Sequence, residues 1–270
     1  MEPGGKIAVI TGGASGIGAA LAAQMIARGA RVTIADLDEG AVQTRAAALG
    51  CAGCVCDVRS EADIVALIDA VREEQGEVDI FVSNAGLFEP QPGHAASAPD
   101  AVWQQNWAVH VMAHVYAARA LLPGMIERGS GYFVNIASAA GLLNQVGNAA
   151  YSASKHAAVS FAESLAISHG DQGIGVSVVC PQYVATPLIG LDDADAGAHA
   201  SLLTAAEVAE VILDAVLAER FMVLPHGEVA AFFAKRAADP ERWIAGMRLF
   251  NARAEALKTG GDLPAYYSLL

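Results

Sequence analysis

Short apolar runs alternate with longer amphipathic segments through most of this chain. The apolar runs cover residues 7–10, 31–35, 53–56, 79–83, 132–136, 175–180 and 221–224. Helical patterns cover residues 17–28, 61–75, 103–128, 150–169 and 205–219. Near-continuous apolar runs are typical of parallel strands buried on both faces. The alternation therefore predicts an α/β fold built on a doubly wound parallel sheet.

We expect residues 1–270 to form a single domain, because this length suits one large α/β unit and no linker interrupts it. A stretch rich in aspartate and glycine follows one predicted strand and predicts a substrate lid at residues 188–204, with a plain surface loop as the alternative. A helical extension is expected at residues 226–270. There Trp243, Met247 and Phe250 recur at helical spacing, which indicates packing or a subunit contact rather than a cofactor site.

Charge and composition narrow the range of partners. The net charge of −13 at pH 7 repels phosphate backbones and anionic lipids, so we expect no nucleic acid and no membrane partner. The chain shows neither an apolar run of spanning length nor a signal-peptide pattern, and we predict a cytoplasmic protein. Cys51, Cys54 and Cys56 lie close together, but a zinc site usually needs a fourth ligand. We therefore expect reduced thiols and no metal.

A glycine-rich turn joins the first predicted strand to the first predicted helix. It reads Thr11-Gly12-Gly13-Ala14-Ser15-Gly16-Ile17-Gly18. Glycines let the backbone turn tightly and approach a pyrophosphate, and the helix N-terminus supplies amide donors for that anion. The turn predicts a dinucleotide site.

The second predicted strand ends at Asp36. A carboxylate there can accept hydrogen bonds from the adenosine ribose diol, and it repels a 2′-phosphate. Neither Leu37 nor Asp38 supplies a cation, and position 15 is serine. These features predict NAD rather than NADP as the cofactor. The alternative is that Asp36 caps the helix that follows.

Tyr151 and Lys155 are four residues apart in a predicted helix, so they share one face. An ammonium beside a phenol favours the phenolate and lowers its pKa. We therefore expect Tyr151 to serve as a general acid/base at neutral pH. A chance pair on a solvated helix is the alternative.

These motifs together resemble those of the classical short-chain dehydrogenase/reductase family, from Lys6 to Leu224. The matching residues are Thr11-Gly12, Gly16, Gly18, Asp57-Val58, Asn84-Ala85-Gly86, Ser138, Tyr151, Lys155, Pro181 and Thr186-Pro187. The resemblance implies a Rossmann-type fold and an NAD-dependent oxidoreductase that interconverts a secondary alcohol and a ketone.

The resemblance also implies residue roles. Tyr151 would be the acid/base, Ser138 would polarise the substrate oxygen, and Lys155 would hold the nicotinamide ribose. The cofactor residues would be Gly12, Ser15, Gly16, Ile17, Gly18, Asp36, Leu37, Asp57, Val58, Asn84, Ala85, Gly86, Tyr151, Lys155, Pro181, Val184 and Thr186. The substrate pocket is expected to include Ser138, Leu143, Gln145, Tyr151, Gln182, Tyr183 and Leu188. The mostly apolar character of the expected pocket, which also takes in the rest of residues 138–143 and 188–203, suggests a hydrophobic or aromatic alcohol.

Two positions depart from the family pattern. Gln182 stands where the family usually has glycine, and His110 stands where it has a catalytic asparagine. His114 lies one turn beyond His110, so a metal pair, a packing or interface histidine and a proton-relay residue all remain open. We expect a charged His110 to be disfavoured near Lys155.

Two other classes of function compete with an enzyme. A non-catalytic, NAD-binding regulatory protein could use the same fold, as could a purely structural protein. Retention of Ser138, Tyr151 and Lys155 argues against the regulatory protein, and a purely structural protein would not need Asp36 together with an intact glycine turn. The resemblance further implies a homodimer or homotetramer that pairs through the helices at residues 103–128 and 150–169.

Overall fold

The computed structural model describes residues 1–90, 93–196 and 201–260. Its strands, in chain order, are β1 (Ile7–Thr11), β2 (Arg31–Asp36), β3 (Ala52–Val55), β4 (Ile80–Ser83), β5 (Gly131–Ile136), β6 (Ile174–Val179), β7 (Tyr183–Ala185), β8 (Leu202–Thr204) and β9 (Met222–Val223). Seven of them form one parallel sheet in the order β3-β2-β1-β4-β5-β6-β9. All seven predicted strands are present, and the Rossmann-type prediction is confirmed. β7 and β8 form a small parallel ribbon that the apolar pattern did not predict.

The helices cover both faces of the sheet. They are α1 (Gly16–Ala27), α2 (Glu39–Leu49), α3 (Glu61–Glu74), α4 (Asp100–Trp107), α5 (Ala113–Glu127), α6 (Ala140–Leu143), α7 (Ala149–His169), α8 (Ala205–Leu217), α9 (Glu228–Ala238) and α10 (Pro240–Gly260). The continuous helix predicted at residues 103–128 is wrong in one respect: a π-helical turn, Ala108–Met112, separates α4 from α5. Helix α2 was missed because it buries only Val42 and Ala46.

Two apolar layers hold the sheet between the helices. One layer includes Leu121 of α5, Ala158 of α7 and Phe81 of β4, and the opposite layer includes Leu21 of α1 and Ile212 of α8. The strand order reverses between β1 and β4, so the chain leaves these two strands toward opposite faces of the sheet. A crevice at such a reversal is where ligands bind in open α/β sheets.

The C-terminal helices pack beside this crevice. The guanidinium of Arg236 in α9 donates hydrogen bonds to the carbonyl of Leu142 and to Nε2 of His156, which fastens α9 to α6 and α7. Residues 197–200 of the predicted lid and 261–270 of the predicted extension lie outside the described residues. No helix in the described ranges is long and apolar enough to cross a membrane.

Candidate active site

The glycine-rich turn requires glycine at specific positions. Gly12 and Gly16 have φ angles of 62° and 51°, in the left-handed region that disfavours side chains. A Cβ on Gly18 would lie 2.3 Å from the carbonyl oxygen of Gly12. Ser15 precedes α1 without a side-chain capping bond. Ser15, Gly16 and Ile17 line the crevice, so the N-terminus of α1 borders it, as a pyrophosphate site requires.

Asn84 fixes the turn to the end of β4. Its Nδ2 donates to the carbonyls of Thr11 and Gly12, both at 2.9 Å. In return, the Thr11 hydroxyl oxygen accepts the N–H groups of Asn84 and Ala85 at 3.0 and 3.2 Å. The Asn84 amide thus shapes the crevice, while Asn84, Ala85 and Gly86 all line it.

Asp36 lies at the end of β2, directly beside the turn. Its carboxylate accepts the N–H of Ala14 at 3.1 Å and the N–H of Leu37 at 2.8 Å. The alternative role for Asp36, as a helix cap, is wrong: Asp38 caps α2 by accepting the N–H of Ala41. The Nε of Arg45 donates to the Ala14 carbonyl at 3.1 Å. The residues next to Asp36 in the sequence gave no sign of Arg45. Helix α2 brings Arg45 to Ala14, the same residue whose N–H Asp36 accepts.

A second arginine, Arg59, lines the crevice beside Asp57 and Val58. Arg59 holds both carboxylate oxygens of Asp57, with contacts of 2.6 to 3.0 Å. These hydrogen bonds lower the pKa of Asp57. Asp57, Val58 and Arg59 all line the crevice, and Arg59 was not among the predicted site residues.

Tyr151, Lys155 and Ser138 converge at the other end of the crevice. Helix α7 begins at its cap Asn148, whose Oδ1 accepts the N–H of Tyr151 at 3.3 Å. The Nζ of Lys155 lies 5.7 Å from the centre of the Tyr151 ring and donates to the Ile136 carbonyl at 3.0 Å. The Ser138 hydroxyl accepts the N–H of Ala140 at 3.1 Å and lies 3.5 Å from the Pro181 carbonyl oxygen, and Ser138, Tyr151 and Lys155 all line the same part of the crevice. All three side chains are buried.

Burial is the largest influence on the pKa values of Tyr151 and Lys155. It raises the pKa of Tyr151, and the nearby polar side chain of Ser138 offsets only part of that rise. Burial also lowers the pKa of Lys155 to about 8. The expectation that Lys155 would bring the pKa of Tyr151 below its usual value is therefore wrong. The free energy needed to remove the phenolate from water exceeds the stabilisation that the nearby polar groups supply.

His110 lies behind Tyr151 in the π-helical turn and is fully buried. Its Nε2 accepts the N–H of Leu87 at 3.2 Å, so the ring proton belongs on Nδ1. Nδ1 lies 2.9 Å from the Ser154 hydroxyl, which donates to the Tyr151 carbonyl at 2.9 Å. The His110 ring also packs edge-on against the Tyr151 ring at 5.3 Å. His110 thus contacts the catalytic helix without lining the crevice.

The metal alternative for His110 and His114 finds no support in the geometry. The described residues contain no cluster of three or more His, Cys, Asp or Glu that could hold a metal ion. Both nitrogens of His110 are already in hydrogen bonds. Burial and the charge of Lys155 hold the pKa of His110 well below its usual value, and they lower that of His114 to about 3. Both imidazoles are therefore neutral near pH 7.

Most of the predicted site residues line one cleft of about 390 Å³. Those that do are Gly12, Ser15, Gly16, Ile17, Asp36, Leu37, Asp57, Val58, Asn84, Ala85, Gly86, Ser138, Gln145, Tyr151, Lys155, Pro181, Gln182, Tyr183, Val184, Thr186 and Leu188. Gly18 and His110 lie behind its wall. Leu143 lines a neighbouring cavity instead. Phe88 was missed; its ring packs edge-on against Tyr151 at 5.1 Å.

His226 supports the substrate end of the cleft and was also missed. Its Nδ1 accepts the N–H of Gln182 at 3.1 Å, and its Nε2 donates to the Tyr183 carbonyl at 3.0 Å. Across the cleft, Nε2 of Gln145 donates to the Tyr183 hydroxyl at 2.9 Å. No sequence motif marks His226, because the contact joins segments distant along the chain.

Known proteins share both this sequence pattern and this fold. The short chain dehydrogenase family model matches residues 6–196. The chain is 34% identical over 230 residues to 1-deoxy-11-beta-hydroxypentalenate dehydrogenase from Streptomyces exfoliatus, covering 83% of this chain and 84% of the relative. It is 37% identical over 190 residues to cis-4-hydroxycyclohexanecarboxylate dehydrogenase from Sinomonas cyclohexanicum, covering 68% and 75%.

A solved structure extends the similarity to three dimensions. A short chain dehydrogenase/reductase from Burkholderia phymatum, in complex with NAD, superposes with a TM-score of 0.80 at 31% identity. The match covers 89% of this chain and 96% of that one. The chain therefore belongs to the short-chain dehydrogenase family.

Proposed function

We propose that this protein is an NAD-dependent oxidoreductase that interconverts a secondary alcohol and a ketone. The observation that carries the proposal is the convergence of Ser138, Tyr151 and Lys155 in a buried pocket at the end of a dinucleotide-shaped cleft. The two relatives named above are dehydrogenases of hydroxylated compounds, which supports alcohol chemistry. Their substrates differ, so the family alone does not select one.

The glycine turn and Asp36 fit NAD. A Cβ at any of the three motif glycines would crowd the protein's own atoms, so only glycine allows this tight turn. The Asp36 oxygens are held beside the turn by the amides of Ala14 and Leu37. A fixed carboxylate suits a ribose diol better than a 2′-phosphate. The related Burkholderia phymatum structure contains NAD, which supports the same choice. When bound, this cofactor accepts or returns the hydride.

The chain's own residues would handle the proton and the developing charge. During alcohol oxidation, the Tyr151 phenolate would take the proton of the substrate hydroxyl, and Ser138 would donate a hydrogen bond to the same oxygen. Lys155 lies 5.7 Å from the Tyr151 ring, and its ammonium would stabilise the phenolate. Because burial raises the pKa of Tyr151, the unassisted phenolate is scarce near neutral pH. Oxidation should therefore be favoured at alkaline pH.

The substrate end of the cleft favours a hydrophobic or aromatic alcohol. Phe88, Tyr183 and Leu188 face the cleft there, while Gln145 and Gln182 supply neutral hydrogen-bonding groups. The segment that begins at Leu188 is proposed to act as a lid over this end. Its described part contains the short helix Pro187–Ile189 and strand β8.

The protein is also proposed to be a cytoplasmic homo-oligomer. All four cysteines are free thiols, which suits a reducing compartment. Trp107 on α4 and Ile167 on α7 are 48% and 84% exposed. Large exposed apolar side chains on these two helices are consistent with pairing through them. Light scattering of the wild type and of Ile167→Glu tests this directly, since a dimer or tetramer built on α7 should dissociate in the variant.

One experiment separates this enzyme from a non-catalytic NAD-binding protein. The purified protein is titrated with NAD and then incubated with a panel of secondary alcohols while NADH absorbance is followed. An oxidoreductase binds NAD and forms NADH with at least one alcohol, and Tyr151→Phe stops that reaction. Binding of NAD without turnover of any alcohol, or of any matching ketone with NADH, would favour the regulatory alternative.

A further inference from the structure

A second cavity of about 240 Å³ adjoins the substrate end of the cleft. The two cavities share Ala139, Ala140, Gln145, Gln182 and Tyr183 in their walls. We propose that this second cavity, here called the distal chamber, receives the apolar, uncharged end of a substrate whose carbinol carbon lies at Tyr151. This inference rests on the proposed function and specifies its substrate class.

The C-terminal helices build the apolar wall of the distal chamber. Trp243, Met247 and Phe250 lie on one face of α10, and Phe232 of α9 packs against Trp243 with ring centres 6.3 Å apart. Leu143 completes the wall from α6. The stripe of Trp243, Met247 and Phe250, which was predicted to serve packing or a subunit contact, also encloses space beside Ala139, the residue after Ser138.

The charge of the lining selects against ionised substrates. No described residue that lines the distal chamber is Asp, Glu, Lys, Arg or His. Moving a carboxylate from water into such a site costs far more than moving an alkyl group of similar size. Gln145 and Gln182, at the junction of the two cavities, are neutral as well. The chamber therefore favours alkyl or alicyclic groups over carboxylates.

The arrangement also predicts how rate depends on substrate length. A group at the 4-position of a cyclohexanol points away from the carbinol carbon, so it would extend from Tyr151 toward the chamber. Each methylene that leaves water for an apolar wall contributes roughly 0.8 kcal/mol, or about fourfold in kcat/KM. We expect kcat/KM to rise from cyclohexanol through its 4-methyl, 4-ethyl and 4-propyl derivatives.

The test compares this series in the wild type, in Met247→Trp, which fills the chamber, and in Leu249→Trp. Leu249 lies on the same helix but is 67% exposed, so its variant controls for the added indole. We expect Met247→Trp to lower kcat/KM for 4-propylcyclohexanol at least tenfold and to leave cyclohexanol within about threefold. For Leu249→Trp, kcat/KM should match that of the wild type for every alcohol in the series. In the wild type, kcat/KM should be at least tenfold lower for the 4-carboxylate than for 4-propylcyclohexanol.

Failure of this inference can be told apart from failure of the proposed function. Turnover that does not depend on alkyl length, or an equal effect of Met247→Trp on all alcohols, would overturn the chamber and leave the enzyme assignment intact. If no alcohol is turned over, calorimetry with 4-propylcyclohexanone and the protein–NADH complex still decides. The chamber is supported if 4-propylcyclohexanone binds at least tenfold more tightly than cyclohexanone and if Met247→Trp abolishes this difference. Equal affinities of the two ketones for the wild type overturn it.

Discussion

The imidazole of His110 lies 2.9 Å from the hydroxyl of Ser154, and this contact joins the π-helical turn to the catalytic helix α7. The chain of hydrogen bonds runs from the Leu87 amide through His110 and Ser154 to the Tyr151 carbonyl. Every polar atom of the imidazole is used in it. We therefore predict that His110 positions Tyr151 and that its neutral ring stays outside the proton path.

The first prediction concerns His110→Asn. The shorter amide can keep one of the two hydrogen bonds, so we expect kcat/KM to stay within about tenfold of the wild type. Because the pKa of His110 is held well below its usual value, the pH profiles of the two proteins should have the same shape from pH 5 to 10. A new or lost ionisation on the acidic limb of the variant would instead assign His110 to the proton relay.

Ser154→Ala tests the same network of hydrogen bonds at its next member. It removes the acceptor of the His110 Nδ1 proton and leaves a buried donor unpaired, at a cost of roughly 1–3 kcal/mol of unfolding free energy. A positioning role predicts that kcat falls more than the affinity for NAD changes. If kcat is unchanged and only stability is lost, the network serves packing alone.

His114 gives a second prediction, on stability. The ring is buried, and neither nitrogen has a hydrogen-bond partner among the described residues. Its pKa is about 3 in the folded protein, so between pH 6.5 and 3 the unfolded chain binds the extra proton. Stability is therefore lost as the pH falls through that range, by at most about 1.4 kcal/mol per pH unit from this residue.

His114→Leu tests that prediction. The variant should be as stable as the wild type near pH 7.5, because an unpaired buried polar group is replaced by an apolar one. At pH 4.5 it should be more stable than the wild type. Chemical denaturation at both pH values measures the difference. A constant difference between the two proteins would show that His114 does not titrate on unfolding as described.

A third prediction concerns cofactor choice. We expect NAD to bind at least tenfold more tightly than NADP, because the fixed carboxylate of Asp36 would face the 2′-phosphate. Arg45, bonded to the Ala14 carbonyl, is the nearby cation that could accept that phosphate once the carboxylate is gone. Asp36→Ala should therefore reduce the difference between the NAD and NADP affinities. Adding Arg45→Ala should increase that difference again. Dissociation constants measured at one ionic strength decide; equal wild-type affinities would contradict the role of Asp36.

The apolar pattern was sufficient to locate the seven strands of the main sheet, because buried parallel strands leave near-continuous runs in the sequence. It missed α2, whose two buried residues give almost no periodic signal, and it missed the π-helical turn within the helix at residues 103–128. Motif spacing identified the glycine turn, Asp36, Ser138, Tyr151 and Lys155, and the structure brings them to one cleft. Spacing was sufficient here because these residues keep fixed positions relative to the ends of strands.

Other parts of the site depend on contacts between distant segments. Arg45 approaches the turn from α2, and His226 reaches the backbone of Gln182 and Tyr183 from beyond β9. Neither residue belongs to a local motif, so sequence spacing could not reveal it. The raised pKa of Tyr151 was missed for a related reason, since the degree of burial follows from the packing of Phe88, His110 and neighbouring segments.

The most direct test of the account is Tyr151→Phe, because the substitution removes only the hydroxyl that would carry the proton. NADH formation from an alcohol that the wild type oxidises is measured beside the NAD dissociation constant of both proteins. The account predicts a rate loss of about 10²–10⁴, with NAD affinity changed less than about threefold. A variant that keeps close to the wild-type rate would contradict the assignment of Tyr151 as the acid/base.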